Sequence, residues 1–232
     1  MTTITDSKQR KSQLHEYFDG IGFERWAAIY GEAELSSVRK TVRDGHNVML
    51  SNVQAWLAEH RLAPGATILD AGCGTGLFSL AMAKLGYRVT AVDIAPRMLK
   101  LGVQQAEKLG LREQINFIAG DLEVVSGKYD AVVCLDVLIH YPSSIFAPLC
   151  TRLASLSRGP LFITYAPYNA LLAAMHWAGG HFPQTQRRTD IQMIKADFVQ
   201  ETLKAARMRV RRSIHVGRGF YQVNLLEANL IS

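Results

Sequence analysis

The stretch that decides the fold reads Ile68-Leu69-Asp70-Ala71-Gly72-Cys73-Gly74-Thr75-Gly76. It follows Pro64-Gly65, and its apolar beginning predicts a buried first strand over 66–71 that starts from a turn. The apolar spacing of 77–85 then predicts a helix that ends before Gly86. A strand, a glycine turn and a helix in this order are typical of nucleotide sites, because glycine permits close approach of the backbone and the helix start favours negative charge.

The spacing of the glycines argues against a dinucleotide site. The pattern Gly-x-Gly-x-x-Gly would need a glycine at position 77, where the chain has Leu77. The chain has Gly-x-Gly-x-Gly instead, with Asp70 two residues before the first glycine. This arrangement resembles motif I of the class I methyltransferases, which bind S-adenosylmethionine (SAM). Taken alone the loop is weak support, since an ordinary tight turn is also rich in glycine.

Acids at the ends of two more predicted strands strengthen the resemblance. The strand over 88–92 is followed by Asp93, near the offset at which an acid binds a ribose, and the strand over 115–119 is followed by Gly120-Asp121-Leu122. In the methyltransferase pattern Asp93 accepts from the ribose hydroxyls and Asp121 from the adenine amino group. Incidental acids at strand ends are the alternative. The resemblance implies cofactor contacts from Asp70, Gly72, Gly74, Gly76, Asp93, Ile94, Met98, Asp121, Leu122 and Leu135.

Composition indicates a globular chain with one sizeable α/β domain. The 232 residues are 48% hydrophobic, no apolar run approaches the roughly 18 residues that span a bilayer, and the polar start lacks a signal-peptide core. Three cysteines without a CxxC pair favour a reduced, cytoplasmic location. Seven dispersed histidines predict no metal held by the protein.

A net charge of +6 leaves nucleic acid, an acidic ligand or an anionic membrane surface as possible partners. The basic residues are scattered, and the densest run, 207–212, falls in a predicted strand, where a solvated sheet edge is the simpler explanation. We therefore expect no nucleic-acid partner.

The remaining pattern predicts a Rossmann-like class I methyltransferase: a seven-stranded, mostly parallel sheet with an antiparallel last strand, a helical N-terminal preface and a substrate-side insertion. Residues 1–12 read as a mobile arm, followed by two short amphipathic segments and a long helix before Pro64. We expect an N-terminal arm and helical cap over 1–65 and a methyltransferase core over 66–232. The core helices are predicted over 96–109, 143–156 and 195–206, and its later strands over 129–135, 161–165, 209–216 and 221–230.

The insertion over 166–194 is longer than such a connection needs, and we expect it to act as a substrate lid. Its aromatic side chains and paired arginines suit a large flat substrate with carboxylates, since Arg binds carboxylates in a bidentate manner. A lid that buries its own side chains is an equal alternative. The predicted substrate contacts here are Tyr168, Trp177, Arg187 and Arg188.

After the fourth predicted strand the chain reads Leu135-Asp136-Val137-Leu138, without the Asn/Asp-Pro-Pro-Tyr motif of enzymes that methylate bases. A small-molecule acceptor is therefore expected. Longer motifs resemble the magnesium-protoporphyrin IX O-methyltransferases of chlorophyll synthesis. They are Gly22-Phe23-Glu24-Arg25-Trp26, Ile29-Tyr30-Gly31, Val38-Arg39, Arg43-Asp44-Gly45-His46, Asp136 to Pro142, Thr164-Tyr165-Ala166-Pro167 and Arg218-Gly219-Phe220-Tyr221.

This resemblance implies methyl transfer from SAM to a propionate carboxylate of magnesium-protoporphyrin IX, with the magnesium belonging to the substrate. It adds Arg25 and Arg39 as substrate contacts. It also implies loose peripheral attachment to photosynthetic (thylakoid) membranes and contact with the large subunit of magnesium chelatase. Rival functions are a quinone or alkaloid methyltransferase, a nicotinamide oxidoreductase, which Leu77 disfavours, and a basic nucleic-acid-binding module.

His140 and Tyr30 are the candidate catalytic residues. His140 follows the fourth predicted strand, where class I enzymes hold the methyl group, and Tyr30 lies in the preface expected to cover the cofactor. Both are predicted to act as positioning donors rather than to remove a proton, and His140 is expected to hold either the acceptor carboxylate or the polar end of the cofactor. A histidine satisfied by backbone groups at a helix start and a tyrosine of the core are the alternatives.

Overall fold

The computed structural model describes residues 2–31, 34–168 and 191–231, so Trp177, Arg187 and Arg188 lie outside the described residues. The strands are β1 (Thr67–Ala71), β2 (Arg88–Asp93), β3 (Ile115–Ala119), β4 (Ala131–Cys134), β5 (Leu161–Pro167), β6 (Met193–Ile194), β7 (Met208–Arg218) and β8 (Tyr221–Leu230). The helices are α1 (Thr2–Glu16), α2 (Phe23–Tyr30), α3 (Ser37–Glu59), α4 (Leu77–Lys84), α5 (Pro96–Lys108), α6 (Ser143–Leu156) and α7 (Ala196–Ala205).

The strands form one sheet in the order β3-β2-β1-β4-β5-β8-β7. Strands β1 to β5 are parallel, whereas β8 pairs antiparallel with both β5 and β7. The predicted mostly parallel sheet with an antiparallel last strand is confirmed, and the two-residue β6 adds a short parallel pair to the end of β5. Because the first five strands are parallel, their carboxyl ends meet at one edge of the sheet.

Alternation of apolar side chains along the strands gives the sheet two buried faces. On β1, Ile68 packs with apolar residues of α3 and α4, whereas Leu69 packs with those of α6 and α7. Helices therefore cover both sides, and the loops at the carboxyl ends of the strands are left to form a site.

The expectation of a mobile arm was wrong, because a helix, α1, occupies this part of the chain. Three contacts hold it against the core. Leu14 is buried, Arg10 Nε donates to the carbonyl of His140 at 2.8 Å, and His15 Nδ1 lies 2.7 Å from the carbonyl oxygen of Ile94. The partners are distant in sequence, so the polar composition of the segment gave no sign of them. The division of the chain at 65/66 stays a prediction.

The basic run lies on the edge strand β7, yet two of its side chains are paired rather than only solvated. Glu227 of β8 is fully buried and accepts from Arg212 Nε at 2.6 Å and from Arg211 Nη1 at 3.0 Å. Its other partner is His60, with Nε2 2.8 Å from the carboxylate, and both arginines also reach Glu59. This cluster ties the β7–β8 hairpin to the end of α3.

In the ranges 2–31, 34–168 and 191–231, no helix combines the length and the apolar character that crossing a membrane requires.

Candidate active site

A cleft of about 720 Å³ opens at the carboxyl ends of β1 to β4, beneath the N-terminal helices. The cleft is lined by Leu14, Phe18, Tyr30, Gly72, Gly74, Val92, Asp93, Ile94, Met98, Gly120, Asp121, Leu122, Leu135, Asp136, Val137, His140 and Tyr141. A smaller cleft beside it contains Asp70, Cys73 and His46, and it shares Tyr30 and Leu135 with the larger one.

The glycine loop follows β1 and is held by its neighbour β2. The backbone N–H groups of Gly72 and Cys73 donate to the carbonyl of Val92 at 2.7 and 3.0 Å. Gly72 has φ +81°, and a Cβ there would lie 2.0 Å from Val137 Cγ2. Gly74 has φ +54° and lines the cleft. Because glycine has no side chain, a ligand can approach the backbone at this position.

Gly76 packs closely against a neighbouring aromatic side chain. It lies outside the lining of both clefts, with φ +76° at the start of α4 and 3.3 Å between an added Cβ and Phe117. The structure therefore shows a packing reason for this glycine. Its predicted contact with the cofactor stays a prediction.

Asp93 ends β2 with both carboxylate oxygens facing backbone donors. Oδ2 accepts from Gly74 N–H at 2.7 Å and Oδ1 from Ala95 N–H at 2.8 Å. Burial raises the pKa of Asp93, and these backbone hydrogen bonds oppose that rise. A carboxylate has about four acceptor positions, so each oxygen retains capacity for a ribose hydroxyl. Ile94 and Met98 line the adjacent wall.

Asp70 is buried at the end of β1, in the smaller cleft, and Ser79 Oγ donates to its Oδ2 at 2.6 Å. Burial raises the pKa of Asp70 to about 7, because the charged form is separated from water and only one side-chain donor compensates. Ionisation of Asp70 therefore lowers the free energy of unfolding.

Asp121 and Leu122, after β3, line the larger cleft. Lys11 Nζ of α1 lies 2.7 Å from Asp121 Oδ2 and 2.7 Å from Glu123 Oε1. Burial acts to lower the pKa of Lys11, but its bonds to the two carboxylates outweigh this and raise it. Sequence reasoning missed Lys11, because it treated this segment as an unattached arm.

Tyr30 and His140 both line the larger cleft. Tyr30, at the end of α2, stacks on Trp26 with ring centres 5.7 Å apart and lies 4.8 Å from the ring of His46. Burial raises the pKa of Tyr30, and the charges of Asp136 and Asp93 add to the rise, so it stays a neutral hydroxyl. The ring of His140 packs edge-on against Phe18 at 5.3 Å. Their proximity to one cleft is shown, and their roles stay predictions.

Asp136 is a site residue that the predicted set lacked. It follows β4 with φ +58°, lines the larger cleft, and accepts from the hydroxyl of Tyr221 at 2.8 and 3.0 Å. Thr164 Oγ1 donates to Asp136 Oδ1 at 3.2 Å and accepts from the Asp136 N–H at 2.6 Å. Burial raises the pKa of Asp136 to about 6 despite these donors. A fourth acid at the end of a predicted strand was the signal available in the sequence.

The predicted substrate contacts lie away from the two clefts where they are described. Arg25 has its guanidinium 5.7 Å from the Trp26 ring, Arg39 is exposed on α3, and Tyr168 is 54% exposed after β5. None of these three lines either cleft. Their roles stay predictions.

Within the described parts of the chain, no group of three or more His, Cys, Asp or Glu side chains is arranged to hold a metal ion.

A sheet of this order, a glycine loop after β1 and acids after β2 and β3 define a class I SAM-dependent methyltransferase. The sequence profile described as "Methyltransferase domain" matches residues 68–158, and the profile "Magnesium-protoporphyrin IX methyltransferase C-terminus" matches residues 134–229.

More extensive similarity covers nearly the whole chain. The magnesium-protoporphyrin O-methyltransferase of Synechocystis sp. is 35% identical over 219 residues, covering 94% of this chain and 95% of that protein. The chloroplastic magnesium protoporphyrin IX methyltransferase of Arabidopsis thaliana is 35% identical over 242 residues, covering 98% and 78%. A crystal structure of the Synechocystis enzyme with bound S-adenosylhomocysteine (SAH) superposes with a TM-score of 0.87, 35% identity and coverage of 95% and 99%. The chain belongs to the magnesium-protoporphyrin IX methyltransferase family.

Proposed function

We propose that this chain transfers the methyl group of SAM to one propionate carboxylate of magnesium-protoporphyrin IX, giving the monomethyl ester and SAH. One observation carries the proposal: the 35% identity to the Synechocystis enzyme extends over 94% of the chain, far beyond the part that the general methyltransferase profile matches. The class I core alone would not indicate an acceptor, because one fold hosts many reactions.

The cleft suits SAM in shape and in charge. Gly72 and Gly74 have positive φ and leave the backbone open, and carboxyl groups of Asp93 and Asp121 stand at the ends of β2 and β3. We assign Asp93 to the ribose hydroxyls and Asp121 to the adenine amino group, with Ile94, Met98 and Leu122 against the rings. When bound, SAM supplies an electrophilic methyl group on a positively charged sulfur.

The protein has no need of a strong base for this reaction. An aliphatic carboxylic acid has a pKa of roughly 4 to 5, so the acceptor is already ionised at neutral pH. Positioning and exclusion of water are then the main contributions of the chain, and good orientation supplies up to several kcal/mol. His140 and Tyr30, which both line the cleft, hold the acceptor oxygen in this proposal.

The experiment follows ester formation by chromatography after the purified protein is mixed with SAM and magnesium-protoporphyrin IX. Metal-free protoporphyrin and a quinone precursor serve as rival acceptors. Ester formation with the magnesium porphyrin is the expected result; its absence, together with methylation of the quinone, would refute the assignment.

Two variants test the positioning residues. His140→Ala and Tyr30→Phe are expected to lower turnover by at least about tenfold while the Kd for SAH changes little, since they hold the acceptor rather than the cofactor. His215→Ala is the matched control, because His215 is exposed on β7 and its ring nitrogens lie 2.9 Å from Asn224 Oδ1 and Gln222 Oε1 of the same hairpin. Wild-type turnover in both test variants would remove these residues from the mechanism.

Contact with the large subunit of magnesium chelatase and with photosynthetic membranes belongs to the same proposal and is supported by the resemblance alone.

A further inference from the structure

Asp136 is a half-buried carboxyl group in the lining of the larger cleft, and the proposed reaction gives it no task. The acceptor is already ionised, so no base is required, and the ribose and adenine are assigned to other acids. The residue nevertheless has φ +58°, a conformation that costs free energy for residues other than glycine. A strained residue beside a ligand cleft indicates that its orientation matters.

The surroundings of Asp136 favour a carboxylate fixed in one direction. Two hydroxyl donors, from Tyr221 on β8 and Thr164 on β5, bind its oxygens. Hydrogen bonds to a carboxylate stabilise the charged form. Since both donors come from paired strands of the sheet, the carboxylate has little freedom to turn away from the cleft.

Strand order places Asp136 near the sulfur of a bound cofactor. The assigned adenine and ribose acids follow β3 and β2, the glycine loop follows β1, and Asp136 follows β4. Neighbouring strands lie about 4.8 Å apart, so three steps from β3 to β4 span about 14 Å. A nucleoside with its adenine at β3 therefore extends its sulfur and amino-acid portion toward Asp136.

The charge of the cleft has the matching sign. Asp93, Asp121 and Asp136 line it, and neither cleft has a Lys or Arg among its described lining residues. Lys11 balances Asp121 from outside the lining. A fixed carboxylate at the reacting end therefore faces a group that is positive in SAM and neutral in SAH.

We propose that Asp136 is a specificity-determining counter-charge, which makes the site prefer the sulfonium of SAM to the neutral thioether of SAH. The inference rests on the proposed function only for the identity of the cofactor. During transfer the acceptor carboxylate loses its negative charge and the sulfur loses its positive charge, as the new C–O bond forms and the S–CH₃ bond breaks. The carboxylate of Asp136 then no longer has a cation to bind, so SAH leaves more readily.

The test measures binding by calorimetry for SAM, for sinefungin, whose amine carries the positive charge in place of the sulfonium, and for SAH. Asp136→Asn keeps the size of the side chain, and Asn also tolerates a left-handed backbone. We expect SAM and sinefungin to bind about 10- to 100-fold more weakly, the range for loss of a bond to a charged group, while SAH binding changes less than about twofold. Equal weakening for all three ligands, or no change for SAM, would overturn the proposal.

Two further variants keep the test decisive. Asp93→Asn is the matched control, since the ribose is common to all three ligands and their affinities should fall together. Tyr221→Phe removes a donor but keeps the carboxylate, so it should weaken SAM selectively and by less than Asp136→Asn; a general loss would count against the proposal. None of these measurements involves a porphyrin, so a failure of this inference is distinguishable from a failure of the proposed acceptor.

Discussion

Replacing Asp70 by Asn should stabilise the ligand-free protein at alkaline pH and weaken its hold on the cofactor. Asp70 is 3% exposed, and burial raises its pKa from 3.8 to about 7. Between these two pH values the folded chain keeps a proton that the unfolded chain has lost. The contribution of Asp70 to the free energy of unfolding is therefore complete below pH 3.8, and it decreases as the pH rises to 7.

The size of the effect follows from the same values. At about 1.4 kcal/mol per pH unit, a pKa that moves from 3.8 to about 7 corresponds to about 4 kcal/mol of unfolding free energy. About 3 kcal/mol of this unfolding free energy is lost between pH 5 and pH 8. Asn does not ionise, so the unfolding free energy of Asp70→Asn relative to wild type should rise by about that amount across the interval.

Urea unfolding followed by tryptophan fluorescence at pH 5, 6.5 and 8 measures this difference. Asp130→Asn is the control. Hydrogen bonds from Thr67 lower the pKa of Asp130, so it is ionised in both folded and unfolded chains across this range and its variant should differ from wild type by a constant amount. Parallel stability curves for Asp70→Asn and wild type would refute the reasoning. Calorimetry should also show weaker SAM binding by Asp70→Asn, the expected cost of a stabilising change in a binding site.

Two more perturbations test contacts outside the core of the cleft. Glu227→Gln leaves His60, Arg211 and Arg212 without their shared carboxylate. The side chains of Arg211 and Arg212 are 42% and 26% exposed and keep Glu59 as a partner, so the cost should stay below the about 3–5 kcal/mol of a fully buried pair, and the Tm should fall by a few degrees without change in the Kd for SAH. An unchanged Tm would contradict this account of the cluster. Lys11→Met breaks the link from α1 to Asp121 and Glu123, so limited proteolysis should cut within the N-terminal helices faster than in wild type. Equal cleavage rates would show that α1 is held by its other contacts.

The sheet was predictable because a local sequence pattern indicates each core strand. β1 and β3 are short apolar runs followed by Gly72 and Gly120, and α5 begins with Pro96 and is followed by Leu109 and Gly110. Asp70, Asp93 and Asp121 were predictable for the same reason, since a parallel sheet gathers the residues at the ends of its strands at one edge.

The contacts of α1 and the environment of Asp136 were not predictable in this way. Lys11 pairs with Asp121, which lies 110 positions later in the sequence, and Tyr221 donates to Asp136, which lies 85 positions earlier. No periodicity encodes such pairs, because they depend on how separate elements pack. A polar segment such as α1 is indistinguishable from a solvated arm until its partners are known.

The place of β8 in the sheet has a consequence for synthesis on the ribosome. β8 is made after β7 but lies between β7 and β5, pairing Phe162 with Glu227 and Tyr165 with Asn224. Until it emerges, a nascent chain exposes one edge of β5, which is a template for unwanted strand pairing. The same late strand brings the hydroxyl of Tyr221, so a chain stopped before residue 221 would lack both a central strand and a support of its active site.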